Sequence, residues 1–377
     1  MKIQNNFLQV IGTCVALMLI WLTFNEDNPN QGVTVPAINP GMTYVTHVFS
    51  KVKVAAPFWQ KHLCDLRNVS LEATEQKQIP LHISMNDAAI KPGEKNIFLL
   101  ETSCDPRPTY RAWCAVESWA AQNPKGYVYY VMTAPYLQDL TGIVTALLAA
   151  YDNMKITPMN LTQLFQLTPL DKFFSTLKWA KSTGWPTIQL SDILRVALVW
   201  HYGGYYSDTD IICIKDVTPL HNVVGLQQPH ELNNAHFHAQ KGHPFIYKIM
   251  LGMLQHYNPR AWGSLGPTLF TRVMKEACGA HILDSKDGLK FQKCFNMTIM
   301  PQRIFSPVFW SANQKLVDEG GWEVLEKDFD ASYTIHFYSQ LIKVKPVRAG
   351  GRSVYDVAAK KYCPVTYKFA TAHSHFF

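Results

Sequence analysis

The stretch from Asn96 to Met132 narrows the fold more than any other. Asn96-Ile97-Phe98-Leu99-Leu100 is an uninterrupted apolar run bounded by KPGEK and ETSCDPRP, the pattern of a strand buried on both faces. Ala112, Ala115, Val116 and Trp119 recur at helical spacing, and Asn123-Pro124 with Gly126 stops that helix before a second strand, Tyr127–Met132. Strand, helix, strand in this order predicts parallel pairing through a right-handed crossover, an α/β body. Ligands in such sheets sit beyond the carboxyl ends of the strands, which places Glu101, Thr102 and Ser103 where a ligand would be met.

What precedes this body differs in kind. Phe7–Phe24, FLQVIGTCVALMLIWLTF, carries no charge and suits a membrane-spanning helix of ~17–25 residues. Lys2 lies before it while Glu26 and Asp27 follow, so the positive-inside rule keeps the N-terminus cytosolic and sends the remainder into the lumen. The exit sequence WLTFNEDNPN offers no small-x-small cleavage site, and the run exceeds a signal core of ~7–15 residues, so an uncleaved anchor is expected. The expected divisions are a tail over 1–6, an anchor over 7–24, a proline-bearing stem over 25–93 and the folded body over 94–377.

A luminal body agrees with three glycosylation sequons, at Asn68, Asn160 and Asn296. With Cys14 in the anchor, seven of the eight cysteines remain, an odd number that leaves at least one free or paired between chains. Cys104–Cys114 and Cys278–Cys294 are the short-range disulfide candidates. No C-x-x-C is present, which argues against a zinc ribbon or a thioredoxin motif. The formal net charge of +7 is scattered rather than gathered in a polybasic arm, so a nucleic-acid partner is not expected.

Farther on, Ile193, Val196, Ala197 and Trp200 mark a second helix with Ser191 as expected N-cap, and Asp192 and Arg195 share one of its faces. That pair reads equally as a local ion pair or as part of a site. Gly203 and Gly204 end the helix and permit positive φ or close backbone approach. Then come Asp208-Thr209-Asp210 and the apolar Ile211–Ile214; in an extended chain alternation would put the two carboxylates on one side. Like charges that close raise each other's pKa unless a cation holds them, and a divalent ion on oxygen ligands would bridge to a diphosphate. In a secretory lumen that diphosphate belongs to a nucleotide sugar. Asp328-Phe329-Asp330 repeats the spacing but reads as a solvated loop.

The compound pattern LSDILRVALVWHYGGYYSDTDIICIKDVTPL, Leu190–Leu220, resembles the α1,4-glycosyltransferase family, sugar-transferase family 32. IFLLETS (Ile97–Ser103), CAVESWA (Cys114–Ala120), NNAHF (Asn233–Phe237), YNPRAWGSLGPTLFTRV (Tyr257–Val273), YTIHF (Tyr333–Phe337) and KYCP (Lys361–Pro364) resemble it in the same order, over about residues 95 to 366. The resemblance implies a GT-A-like fold: a Rossmann-like mixed sheet flanked by helices, behind an N-terminal transmembrane helix. It implies a retaining transfer of a hexose from a UDP-sugar, with Mn²⁺, in the Golgi membrane. The donor is UDP-galactose or a UDP-N-acetylhexosamine, the acceptor a glycolipid or glycan, and self-association as a homodimer is admitted.

By the same resemblance, Glu101 and Thr102 would lie by the nucleoside, and Asp192 and Arg195 by the donor sugar's hydroxyls. Gly203 and Gly204 are grouped with the donor site. Asp208 would be shared between donor and metal, Asp210 would be the firmer metal ligand, and His336 the third ligand or else a satisfied strand-end histidine. Asn233 and Asn234 would approach the reacting carbon, or serve turns. Trp262, Gly263, Gly266 and Pro267 suggest a sugar pocket, an indole face against a pyranose with glycines permitting approach, although such a Trp also serves cores. Two competitors stand beside the transferase: a non-catalytic glycan- or partner-binding member of the fold, and a metal-dependent hydrolase, for which no histidine cluster or nucleophile elbow is present.

Overall fold

A computed structural model of the chain describes residues 58–65, 78–81, 90–134, 136–284, 292–342 and 345–377. The chain divides into Met1–Val54 and Ala55–Phe377. The first unit, with the expected anchor at 7–24, lies outside the described residues, as does Asn68. Among the described residues no helix is long and apolar enough to cross a membrane.

The strands are β1 (Gln78–Pro80), β2 (Asn96–Glu101), β3 (Tyr127–Met132), β4 (Tyr136–Gln138), β5 (Met154–Pro158), β6 (Gly204–Ser207), β7 (Ile211–Cys213), β8 (Val223–Gln228), β9 (Glu231–Ala239), β10 (Gln292–Cys294), β11 (Met297–Met300) and β12 (Thr334–His336). The helices used below are α1 (Phe58–Asp65), α2 (Tyr110–Gln122), α3 (Pro186–Tyr202), α4 (Pro244–His256), α5 (Pro267–Cys278), α6 (Ser339–Ile342) and α7 (Pro364–His373).

Eight strands form one mixed sheet in the order β10-β11-β8-β9-β6-β2-β3-β5. β5, β3, β2 and β6 run parallel, so the strand, helix, strand reading of 96–132 holds; β9 is antiparallel to both β6 and β8. The expected Rossmann-like mixed sheet flanked by helices is present. Alternation along β2 and β3 feeds two cores. Phe98, Leu100, Tyr129 and Val131 pack with α3, α4 and α5, whereas Ile97, Leu99, Val128 and Tyr130 pack with α2. Burial on both faces is why these strands read as unbroken apolar runs.

The stretch read as stem is not all spacer. α1 places Trp59 and Leu63 in the first core, Gln60 Nε2 donates to Thr133 O at 2.5 Å, and Cys64 is disulfide-bonded to Cys104. Thr133 and Cys104 follow β3 and β2, so α1 is held at the carboxyl end of the sheet. The expected Cys104–Cys114 bond is therefore replaced: Cys104 turns to Cys64, and Cys114 on α2 joins Cys363, 249 positions away. Cys278 joins Cys294, and Cys213 is free and buried.

α3 starts at Pro186, not near Ser191. Proline's fixed φ and missing N–H suit the first helical position, and Trp185 takes the cap. Ser191, Asp192 and Arg195 thus lie mid-helix. Gly203 ends the helix at φ 73, and Gly204 follows at φ 115.

Candidate active site

At the carboxyl end of the parallel strands lies a cleft of about 1080 Å³. Its lining includes Glu101 at the end of β2 and Thr102 after it, Asp192 and Arg195 on α3, Asp208 and Asp210 after β6, Asn234 on β9, Trp262 and Gly263 before α5, and Pro267 at its start. Elements distant in the chain converge here because each parallel strand delivers its following loop to the same end.

Arg195 organises the floor. Its Nη1 donates to Asn234 O at 2.8 Å and lies 3.2 Å from Asp208 Oδ1; its Nη2 donates to Ser191 Oγ at 2.9 Å and lies 3.3 Å from Asp192 Oδ1. Nε donates to Ser191 O at 3.1 Å, and the guanidinium sits 4.4 Å over the Tyr206 ring. Asp192 also accepts from Asn234 Nδ2 at 2.8 Å. The two readings of the Asp192–Arg195 pair therefore merge: it is an ion pair, and it faces the cleft. Burial lowers the Arg195 pKa, but Asp208, Tyr206 and Asp192 outweigh it and hold the guanidinium charged. Burial pushes the Asp192 carboxyl up to about 6 against the pull of Arg195 and Asn234.

The two aspartates do not sit on an extended strand. Asp208-Thr209-Asp210 forms the turn between β6 and β7, anchored by Asp208 N–H on Ala235 O at 2.7 Å and by Phe337 N–H on Asp210 O at 2.9 Å. The turn, not alternation, brings both carboxylates to the cleft, and it gives them different partners. Asp208 meets Arg195 and the Tyr206 hydroxyl, which donates to its Oδ1. Asp210 accepts from Ser339 N–H at 2.8 Å, with His336 Nε2 3.3 Å from its Oδ1. The result is a split. Burial raises the Asp208 pKa, Arg195 opposing and Asp210 adding to the rise. Burial also acts on Asp210, but the neighbouring His336 and the Ser339 N–H outweigh it and lower the pKa from its ordinary value.

β12 pairs with β7, setting His336 opposite Ile211, while Tyr338 stacks on the imidazole at 4.0 Å. Asp210 Oδ1 and His336 Nδ1 are buried without an aligned hydrogen-bond partner. Two carboxylates and one imidazole, with an unsatisfied buried oxygen among them, are the donor types a divalent cation takes, although among the described residues their ligand atoms are not gathered within 4.8 Å of one another.

Other expected site residues fall elsewhere. Gly203 and Gly204 sit at the amino end of β6, away from the cleft: a Cβ on Gly204 would stand 2.3 Å from Asn96 O, and one on Gly203 2.8 Å from Lys241 N. Glycine at both positions admits close backbone packing, and neither residue lines the cleft. Asn233 does not line the cleft; its Oδ1 accepts from Ala235 N–H at 2.7 Å, and strand alternation turns only Asn234 inward. Gly266 lies behind the lining, where a Cβ would be 3.3 Å from Asn234 Nδ2 and 3.6 Å from Asp192 Oδ1. Trp262 is 49% exposed, a cleft wall rather than core. His201 Nε2 donates to Leu164 O at 2.7 Å, and Asp328 and Asp330 are exposed.

Tyr206 and His236 were not expected at the site, and Ser191, expected as an N-cap, holds Arg195 instead. Tyr206 bonds both Asp208 and Ser191 Oγ, the latter at 3.2 Å. Its signal was present, since it stands two before Asp208 in GGYYSDTD. His236, two after Asn234 and paired with Ser207, is buried with both ring nitrogens unpartnered; burial and nearby His336 hold its pKa down to about 3.

Residues 238–370 match the alpha 1,4-glycosyltransferase conserved region, and residues 109–230 match the glycosyltransferase sugar-binding region containing the DXD motif. The gorilla lactosylceramide 4-alpha-galactosyltransferase is 32% identical over 282 residues, 74% of this chain and 84% of that protein. The chain belongs to the α1,4-glycosyltransferase family. Human alpha-1,4-N-acetylglucosaminyltransferase is 28% identical over 280 residues, 73% of this chain and 80% of that one. Among solved structures, the PaToxG glycosyltransferase resembles it with a TM-score of 0.39 at 17% identity, over 58% of this chain and 78% of that one. As a member of this family the chain is a hexosyltransferase, and the turn Asp208–Asp210 lies in its DXD-containing sugar-binding region.

Proposed function

We propose that this transferase moves galactose from UDP-galactose to the terminal sugar of a glycosphingolipid or glycan, forming an α1,4 linkage with retention. The observation that carries the reading is the split aspartate pair: Asp210, held ionised beside His336, and Asp208, tied to the Arg195 network that reaches Asp192 and Asn234. In this reading Asp208, Asp210 and His336 hold Mn²⁺, whose chemistry is neutralisation of charge on the departing nucleoside diphosphate. Asp192, Arg195 and Asn234 orient the donor sugar, their mutual bonds fixing each side chain before substrate arrives. Glu101 and Thr102 border the nucleoside; Thr102 Oγ1 donates to Thr187 O at 3.1 Å, which ties the end of β2 to the first turn of α3. Trp262 offers the acceptor a flat apolar wall.

The similarity to the N-acetylglucosaminyltransferase supports a second reading, the same chemistry with an N-acetylhexosamine donor. The remaining proposals are a Golgi type II topology with residues 7–24 as anchor, a stem before the folded unit, and glycosylation at Asn68, Asn160 and Asn296. Asn296 is exposed in the β10–β11 turn, whereas Asn160 caps a helix by accepting from Gln163 N–H at 3.1 Å. Measuring UDP release and product by the full chain across UDP-galactose, UDP-N-acetylgalactosamine and UDP-N-acetylglucosamine, with and without Mn²⁺, tests the whole. Turnover of UDP-galactose that needs Mn²⁺ is expected. Metal-independent turnover would remove the cation, and preference for an N-acetylhexosamine would select the second reading.

A further inference from the structure

Beside the cleft the surface becomes apolar. Ser339 and Gln340 line the cleft, and the next residue of α6, Leu341, is 57% exposed. Tyr338 Oη donates to Val308 O at 2.9 Å, which sets the 308–310 turn against the start of α6. That turn presents Phe309 and Trp310, 44% and 45% exposed. Trp310 Nε1 donates to Gln228 Oε1 at 3.2 Å, at the carboxyl end of β8 and hence at the cleft end of the sheet. Exposed apolar side chains scattered singly are ordinary, but a phenyl, an indole and a leucyl group on two linked segments, one of which lines the cleft, mark a contact surface.

Two observations select the occupant. Aromatic and leucyl groups whose one polar atom stays hydrogen-bonded suit the boundary of a bilayer, where apolar bodies meet wet headgroups. The chain also enters the folded unit through α1, which Cys64–Cys104 and Gln60 hold at this same end of the sheet. We propose that Phe309, Trp310 and Leu341 form a membrane-contacting rim that settles into the headgroup layer of a bilayer carrying the acceptor glycolipid. The rim lets a sugar headgroup enter the cleft while its lipid stays in the membrane. This rests on the glycolipid reading above.

The test uses the full chain reconstituted into phosphatidylcholine vesicles containing lactosylceramide, with free lactose as the soluble acceptor. Trp310→Ser combined with Leu341→Glu should cut transfer to the embedded lipid about tenfold and leave transfer to lactose unchanged. An equal effect on both acceptors, or none on either, overturns the rim. A second measurement does not depend on turnover: a nitroxide on Leu341→Cys, in a Cys14→Ser background, should collide with oxygen more than with a water-soluble nickel chelate. Preferential collision with nickel overturns the proposal, as does protection from both, which would mean a second copy covers the rim. If the parent chain transfers to neither acceptor, the glycolipid reading fails and the nitroxide result alone decides the rim.

Discussion

The backbone N–H of Ser339 donates to Asp210 Oδ2 at 2.8 Å, joining positions 129 apart in the chain. The bond fixes one oxygen of Asp210 and leaves Oδ1 toward His336. Asp210→Asn keeps the shape and removes the charge. Transfer should fall by at least ~100-fold in kcat/KM while circular dichroism and melting stay near those of the parent. Undiminished transfer would remove Asp210 from the site.

Arg195 makes contacts that a lysine cannot reproduce, because only the planar fork serves Asp192, Asp208, Asn234 and Ser191 together. Arg195→Lys should leave buried carboxylates half-answered, at a cost of about 3–5 kcal/mol of stability. Thermal unfolding reads this, and activity should drop with it. A melting point equal to the parent's would mean the network carries little of the fold.

Gly204 stands where φ is 115 and a Cβ would press 2.3 Å from Asn96 O. Gly204→Ala should destabilise the unit by on the order of 3 kcal/mol, since backbone must move on both sides. Surviving folded enzyme should keep its KM for the donor, because the residue lies away from the cleft. A rise in KM with unchanged stability would return the glycine to the donor site.

His238 accepts from Asn222 N–H through Nδ1 at 2.8 Å and meets Glu94 O through Nε2 at 2.9 Å. Burial, helped by His221 and His243 and opposed by the bond to Glu94 O, holds its pKa down to about 4. Above its ordinary value of ~6.5 both folded and unfolded chains are neutral here, so nothing is lost. Between 6.5 and 4 the unfolded chain takes up a proton that the folded chain refuses. Stability therefore falls with pH through that window, by about 3 kcal/mol at pH 4. His238→Gln should be less stable at pH 7.5 but show a shallower decline toward pH 5 in thermal melts; an unchanged decline would assign the pH dependence to other groups.

Much of the fold was legible because burial on both faces writes itself as apolar runs, as in Asn96–Leu100 and Tyr127–Met132. The start of α3 was less legible: Ser191 looks like a cap, but the signal that acts is Trp185-Pro186, five residues earlier. For Gly203 and Gly204 the need for positive φ was readable, yet what approaches them, Asn96 and Lys241, is a fact of tertiary packing. Asp208 and Asp210 stand out by their spacing, yet a turn rather than strand alternation brings them to the cleft. Cys114 pairs across 249 positions, which no spacing rule reaches.

The pairing of β7 with β12 also bears on how the enzyme matures. The acidic turn belongs to residues 208–210, whereas its partners His336 and Ser339 lie on the last third of the chain. During synthesis the parallel strands and Asp210 leave the ribosome well before either partner does. A nascent or prematurely terminated chain would thus carry an aspartate at the open end of its sheet without the partners that answer it in the finished fold, a local defect present before any sugar is bound.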